Sequence, residues 1–160
     1  HVGDLDAAVR RKGGVPAYLE LHIEQGGTLD REKLRIGTVT GIVGVRWFDV
    51  AIEGFANHAG TTPMDQRQDA LLAAAKFTVA VNDAVRARPG RHVATVGRIV
   101  ASPNTRNVVP GRVELTVDLR DLDPAALDRF EGRFREIATG IGAATATRTP
   151  SGTRRATGSG

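Results

Sequence analysis

Residues 113–120 read Val-Glu-Leu-Thr-Val-Asp-Leu-Arg, and this strict alternation constrains the fold more than any other stretch of the chain. Successive side chains on a strand point to opposite faces. Val113, Leu115, Val117 and Leu119 therefore make one apolar face, while Glu114, Thr116, Asp118 and Arg120 make a polar one. A sheet with one apolar face needs cover, which amphipathic helices can supply. Leu71, Ala74, Ala75, Thr78, Val81 and Val85 trace one helical stripe, and Leu127, Phe130, Phe134 and Ile137 trace another. Asp123 with Pro124 marks the start of the second helix, and Gly140 its end. Thr62, Pro63 and Asp65 resemble a capping box before the first. Residues 45–53, with Phe48, Val50 and Ile52 on one face, and residues 93–100 read as two further strands.

The resulting order, β-α-β-β-α, lacks one strand of the ferredoxin-like β-α-β-β-α-β arrangement, an α+β fold. The place for that strand is residues 143–149, Ala-Ala-Thr-Ala-Thr-Arg-Thr, which has almost no apolar face. A doubtful last strand leaves a sheet edge with unpaired backbone groups. Residues 150–160, rich in Ser, Thr, Gly and Arg, are expected to be a disordered tail. The first 42 residues read differently. A helix end over 4–11 stops at Gly13 and Gly14, a strand-like run spans 18–23 until Gly26-Gly27 breaks it, and a short strand is expected around 34–40. The expected division is thus 1–42, 43–149 and 150–160. His1 in place of an initiating Met suggests a missing upstream segment.

Composition narrows the function classes. Apolar residues at 41% and charged residues at 25% are ordinary for a globular domain. With no Cys there is no disulfide and no thiolate metal site. No run of apolar residues is long enough to span a bilayer, so a soluble, cytoplasmic protein without a membrane partner is the expectation. The formal charge of +4 invites a nucleic-acid reading, yet residues 1–140 carry 19 basic against 18 acidic side chains. The other three, Arg148, Arg154 and Arg155, lie near the C-terminus, and no basic stripe with interleaved aromatics exists.

A few residues have settings that suit chemistry. His22 ends the strand-like run beside a double glycine, where it could be a metal ligand or simply a hydrogen-bonded strand-end histidine. His58 lies in the small-residue loop Ala-Asn-His-Ala-Gly-Thr-Thr-Pro of 56–63. It could stabilise an oxyanion or cap the next helix. Arg120 could clamp a carboxylate with its planar fork, or pair with Asp118 or Asp121. Asn107 sits in a turn-rich loop, 104–111, where asparagines commonly bind their own backbone. His92 reads as structural, and Arg67 and Asp69 as helix surface or interface. No HExxH, no His-x-Asp, no Gly-x-Ser-x-Gly elbow and no phosphate-binding glycine loop is present.

Four motifs in order carry a resemblance. Tyr18 to Gly26, read YLELHIEQG, is similar to a segment of the M20 metallopeptidase-like amidohydrolases. So are GFANHAGTTPM at 54–64, NTRNVVPG at 104–111 and VDLR at 117–120. The wording is closest to the branch of N-carbamoyl-L-amino-acid hydrolase, allantoate amidohydrolase and β-ureidopropionase, over about residues 15–140. The resemblance implies a short piece of a catalytic α/β domain followed by a ferredoxin-like lid that forms a homodimer. It implies hydrolysis of a linear amide C–N bond in a small carboxylate-bearing substrate, with two divalent metal ions (zinc, manganese, cobalt or nickel). By the same resemblance His22 is a metal ligand, and Gln25 lies by the substrate. His58 reaches into the partner subunit's site, and Asn107 and Arg120 hold the substrate carboxylate. The family's other metal ligands, bridging aspartate and general-base glutamate have no counterpart here. The chain alone is expected to be inactive, and a truncation or frameshift would account for residues 141–160. An aminoacylase or peptidase of the same broad family, or a non-catalytic dimerisation module, are the alternatives.

Overall fold

The computed structural model describes residues 9–149 and 155–156. The chain divides into two compact units, residues 1–40 and 41–160.

In the first unit one short helix, α1 (Thr28–Arg31), forms. Its exposed N–H groups are met from outside the helix, where Glu24 accepts from Thr28 N at 2.8 Å and Leu29 N at 3.1 Å. The strands expected at 18–23 and around 34–40 do not form. Tyr18, Leu19, Leu21 and Ile23 are all widely exposed. A strand needs a neighbour to take its backbone hydrogen bonds and a layer to cover its apolar side, and the described residues of this unit supply neither. The helix end expected over 4–11 lies mostly outside the described residues.

The second unit is a sheet covered on one face by two helices. In chain order it contains β1 (Gly44–Glu53), β2 (Asn57–His58), a 3-10 turn (Met64–Gln66) and α2 (Ala70–Arg86). There follow β3 (Val93–Ser102), β4 (Val108–Val109), β5 (Arg112–Asp121), α3 (Pro124–Thr145) and β6 (Arg155–Ala156). The main sheet runs β3-β5-β1-β6, and β2 pairs with β4 as a separate ribbon. This is the ferredoxin-like α+β plan, with its central strands β1 and β5 antiparallel from Gly44↔Asp121 to Glu53↔Arg112.

The alternation of β5 does what its pattern requires. Val113, Leu115, Val117 and Leu119 are buried to 1% exposure or less and meet Phe48, Val50 and Ile52 of β1 on the same face. In β3 the pairing shifts between Val96 and Arg98, and the extra residue keeps Ala94, Val96 and Ala101 against the core on both sides of the irregularity. α3 buries Leu127, Phe130 and Phe134, the expected stripe. Two charged side chains are buried among the described residues: Asp121, 8% exposed beside His92, and Arg46, 7% exposed, whose guanidinium reaches Glu131 at 2.8 Å as well as Asp128, joining β1 to α3.

Four expectations are corrected. The first helix starts at Ala70, not in the Thr62–Asp65 box, because Asp69 takes the cap and accepts from Leu71 N and Leu72 N. Its buried stripe is accordingly Ala70, Ala73, Ala74, Phe77 and Val81, while Leu71 and Ala75 face outward. α3 runs through Gly140 to Thr145, because the residues around that glycine hold the helix and the left-handed Ala146 (φ 52°) ends it instead. The closing strand is not 143–149, of which 143–145 belong to α3. There Arg148 makes only a bridge to Glu53, and the two-residue β6 pairs with β1 at Trp47 and Phe48, inside the segment expected to be a disordered tail. Asp123 caps α3 as its sequence predicts, accepting from Ala125 N at 2.9 Å.

Candidate functional site

The loop that carries His58 is held by backbone contacts too close for side chains. Gly54 N–H donates to Gly111 O, Phe55 N–H to Gln68 O, and Ala70 N–H to Pro110 O. A Cβ on Gly54 would lie 1.9 Å from Gln68 O, and one on Gly111 would lie 2.7 Å from Ala56 N, so both positions require glycine. The β2–β4 ribbon then zips two loops together. Asn57 pairs with Val109 and His58 with Val108, and Ala59 N–H donates to Asn107 O at 2.9 Å. The loops 54–63 and 104–111, far apart in sequence, thus form one rim.

Within that rim the His58 ring is exposed and oriented. Its Nδ1 accepts the Gly60 N–H at 3.1 Å. An accepting Nδ1 places the proton of the neutral ring on Nε2, as an outward-facing donor. Arg67, read from sequence as helix surface or interface, fastens the loop: its Nη2 donates to Ala59 O at 2.6 Å and Thr62 O at 3.0 Å, and its Nε to Thr62 O at 3.1 Å. An arginine just past a Gly-Thr-Thr-Pro turn, with free carbonyls behind it, is the signal that could have found this role. Beside His58, Asn57 Oδ1 is buried with no hydrogen-bond partner among the described residues. The Asn107 side chain is exposed.

Arg120 lies elsewhere. β5 leaves the His58–Asn107 rim at Arg112 and reaches Arg120 eight residues later. At a rise of about 3.3 Å per residue that is roughly 26 Å. One copy of this unit brings His58 and Asn107 together and leaves Arg120 at the opposite end of the sheet. There Arg120 Nε and Nη2 grip the Asp118 carboxylate at 2.9 and 2.8 Å, and Trp47 Nε1 donates to the same carboxylate at 3.0 Å. The Arg120 contact, more than that of Trp47, holds the Asp118 carboxyl below the usual range against a smaller opposing effect of burial, and Asp118 in turn raises Arg120. The sequence-level alternative of a surface pair with Asp118 is therefore present as a contact.

In the first unit His22 is exposed, and its Nδ1 lies 2.6 Å from Ile23 O. A carbonyl can only accept, so Nδ1 carries the proton and Nε2 keeps its lone pair, the form that binds a metal. His22 fits one ligand position. Among the described residues no group of three or more His, Cys, Asp or Glu side chains could hold a metal ion. Gln25 adopts a left-handed conformation (φ 54°), unusual away from glycine and asparagine, beside Gly26. His92 is structural as expected, with Nε2 on Val85 O at 3.0 Å, Nδ1 3.4 Å from Asp121 and its ring against Phe130. No described helix is long and apolar enough to cross a membrane.

Residues 40–145 match the family model of the peptidase dimerisation domain of M20 proteins. The chain is 45% identical over 146 residues to an N-carbamoyl-L-amino-acid amidohydrolase of Paenarthrobacter aurescens, covering 89% of this chain and 35% of that protein. The chain belongs to the M20 peptidase/amidohydrolase family, in its carbamoylase and allantoate-type branch. An allantoate amidohydrolase of Bacillus subtilis is 39% identical over 127 residues, 79% of this chain and 31% of that one. Among solved structures, an amidase of the hydantoinase/carbamoylase family from Burkholderia multivorans superposes with a TM-score of 0.79 at 39% identity, over 84% of this chain and 32% of its own. This M20 chain thus spans about a third of the length of these relatives.

Proposed function

We propose that this chain is the lid segment, with a short piece of the catalytic domain, of a metal-dependent hydrolase of linear amide C–N bonds. Its substrates are N-carbamoyl-L-amino acids or allantoate-type ureido acids, and by itself the chain is inactive. The similarity to carbamoylases and allantoate amidohydrolases supports the substrate class. The observation that carries the arrangement is the roughly 26 Å of β5 between the His58–Asn107 rim and Arg120. Groups that far apart on one copy cannot grip the same small molecule. In a dimer through the lid, one site takes His58 and Asn107 from one copy and Arg120 from the other.

The roles follow from the donors. Arg120 and Asn107 hold the substrate carboxylate, and Gln25 lies by the substrate. The Nε2–H of His58, held by the Gly60 contact, faces the carbonyl oxygen as it gains charge, and Asn107 assists binding from the same rim. His22 supplies one ligand, through Nε2, to a pair of divalent ions (zinc, manganese, cobalt or nickel). These ions supply Lewis-acid activation of water when bound.

The test compares the 160-residue chain with the full-length protein on N-carbamoyl-L-amino acids and allantoate, each with added Mn²⁺, Zn²⁺, Co²⁺ or Ni²⁺. The expected result is metal-dependent turnover by the full-length protein, abolished by His22→Ala, and none by the chain. Turnover by the chain above its own His22→Ala control contradicts the proposal, as does a full-length protein that cleaves only peptides.

A further inference from the structure

Asp118 stands directly across the β1–β5 ladder from Trp47 and two residues before Arg120, so all three share the outer face of the sheet. Its carboxylate gathers Arg120 Nε at 2.9 Å on one oxygen, and Arg120 Nη2 at 2.8 Å with Trp47 Nε1 at 3.0 Å on the other. Such a side-on fork uses two of the five guanidinium N–H groups. Of the remaining three, both on Nη1 and one on Nη2, one from each nitrogen forms the end-on edge. The three meet no other acceptor among the described residues, and the Arg120 side chain is 47% exposed.

We propose that Asp118, braced by the Trp47 indole, is a positioning residue that fixes Arg120 side-on and leaves its end-on edge free for the substrate carboxylate. The inference rests on the role given to Arg120 above. A guanidinium can hold two carboxylates at once, one on each edge, each through two parallel hydrogen bonds. An unbraced arginine on an exposed strand loses most of its rotamer freedom on binding, whereas one already clamped has little left to lose. The indole N–H matters because it stops the carboxylate rotating away with the guanidinium. The opposite possibility is that Asp118 competes with the substrate for the same donors. The two readings differ in sign: removing a brace weakens substrate binding, while removing a competitor strengthens it.

The experiment is steady-state kinetics on the full-length protein with N-carbamoyl-L-alanine and its neutral carboxamide analogue. Asp118→Asn keeps the shape but loses the charge that holds the fork. The expected result is a KM for the acid raised about tenfold, most of the loss lying in KM and not in kcat. The neutral analogue should change much less. Asp118→Glu should recover part of the loss, and Trp47→Phe should give a smaller rise. A KM for the acid that is unchanged or lower in Asp118→Asn, or that rises equally for the neutral analogue, overturns the positioning role. If Arg120→Ala still raises the acid KM in that case, the Arg120 assignment stands and only the inference about Asp118 fails. If Arg120→Ala leaves the acid KM unchanged, the assignment of Arg120 itself is wrong.

Discussion

Two stretches of this chain alternate in a strand-like way, and they have opposite fates. Val113 to Leu119 lies at the centre of a sheet, with every apolar side chain at 1% exposure or less. Tyr18 to Ile23 forms no strand, and its Leu19 and Leu21 are 97% and 93% exposed. The difference is not in the residues. β5 has β1 and β3 to take its hydrogen bonds and two helices to cover its apolar side, whereas nothing among the described residues 9–40 does either for 18–23. Alternation states a capacity to be half-buried; the neighbours decide whether a strand exists.

The contrast should appear first in stability. Phe77→Ala or Phe130→Ala empties space at the helix–sheet boundary, where both rings are at most 4% exposed. Either change should cost about 3–5 kcal/mol. Leu19→Ala or Ile23→Ala should stay within about 0.5 kcal/mol. Urea denaturation of the four variants makes the comparison, and a large loss from Leu19→Ala would mean that 18–23 is packed after all. A smaller effect is expected from Gly54→Ala, since the new Cβ would lie 1.9 Å from Gln68 O and the loop backbone must shift. The cost should be about 1–3 kcal/mol, with disturbed amide shifts at Ala59 and Asn107 in NMR spectra. Asp69→Ala removes the cap of α2 and should cost about 1 kcal/mol, whereas Thr62→Ala, at the box first expected to start that helix, should cost less.

The smallest effect concerns acid. Asp118 has its carboxyl lowered from 3.8, chiefly by Arg120, and Asp123 has its own lowered, chiefly by the Ala125 N–H. A depressed folded-state value means that the unfolded chain takes up protons first as pH falls. Both contacts therefore stabilise fully well above pH 3.8 and lose that contribution as pH drops through and below it. Asp118→Asn should flatten the low-pH limb of a stability curve slightly and leave neutral pH to the other contacts.

Much of the second unit was legible because its signals are local or periodic. The β5 alternation, the Asp123-Pro124 start and the Phe130–Phe134 stripe each need only a short window. The errors arose where a tertiary contact chose between equivalent local options. Thr62 and Asp69 both look like caps, and the close approach of Gly54 to Gln68 favours the later one. A shift of that start turns Phe77 inward and Leu71 outward. The segment 143–149 has almost no apolar face to mark a strand; helix α3 takes 143–145, and Arg148 bridges to Glu53. For the proposed site, motif wording suggests His22, Gln25, His58, Asn107 and Arg120 but not their distribution. That His58 and Asn107 share a rim, while Arg120 lies at the far end of β5, follows from ladder pairing that no single motif contains. Arg67 fastens the His58 loop from outside its motif, and Asp118, though within the VDLR motif, shows its contact with Trp47 only through the ladder pairing of β1 and β5.

The claim that one site draws on both ends of two lids is tested most directly by mixing two inactive full-length variants, His58→Ala and Arg120→Ala. Each homodimer lacks one essential group in both of its sites and should be nearly inactive, the loss of His58 alone being on the order of 10²–10³ in rate. After dissociation and reassociation, a heterodimer carries one site with the intact His58 of one subunit and the intact Arg120 of the other. The second site lacks both. Hydrolysis of N-carbamoyl-L-alanine should then recover to about half the wild-type rate for each heterodimer formed. Heterodimers that form, as shown by mass-tagged subunits, and yet recover no activity would show that His58 and Arg120 serve the same subunit's site, contradicting the account.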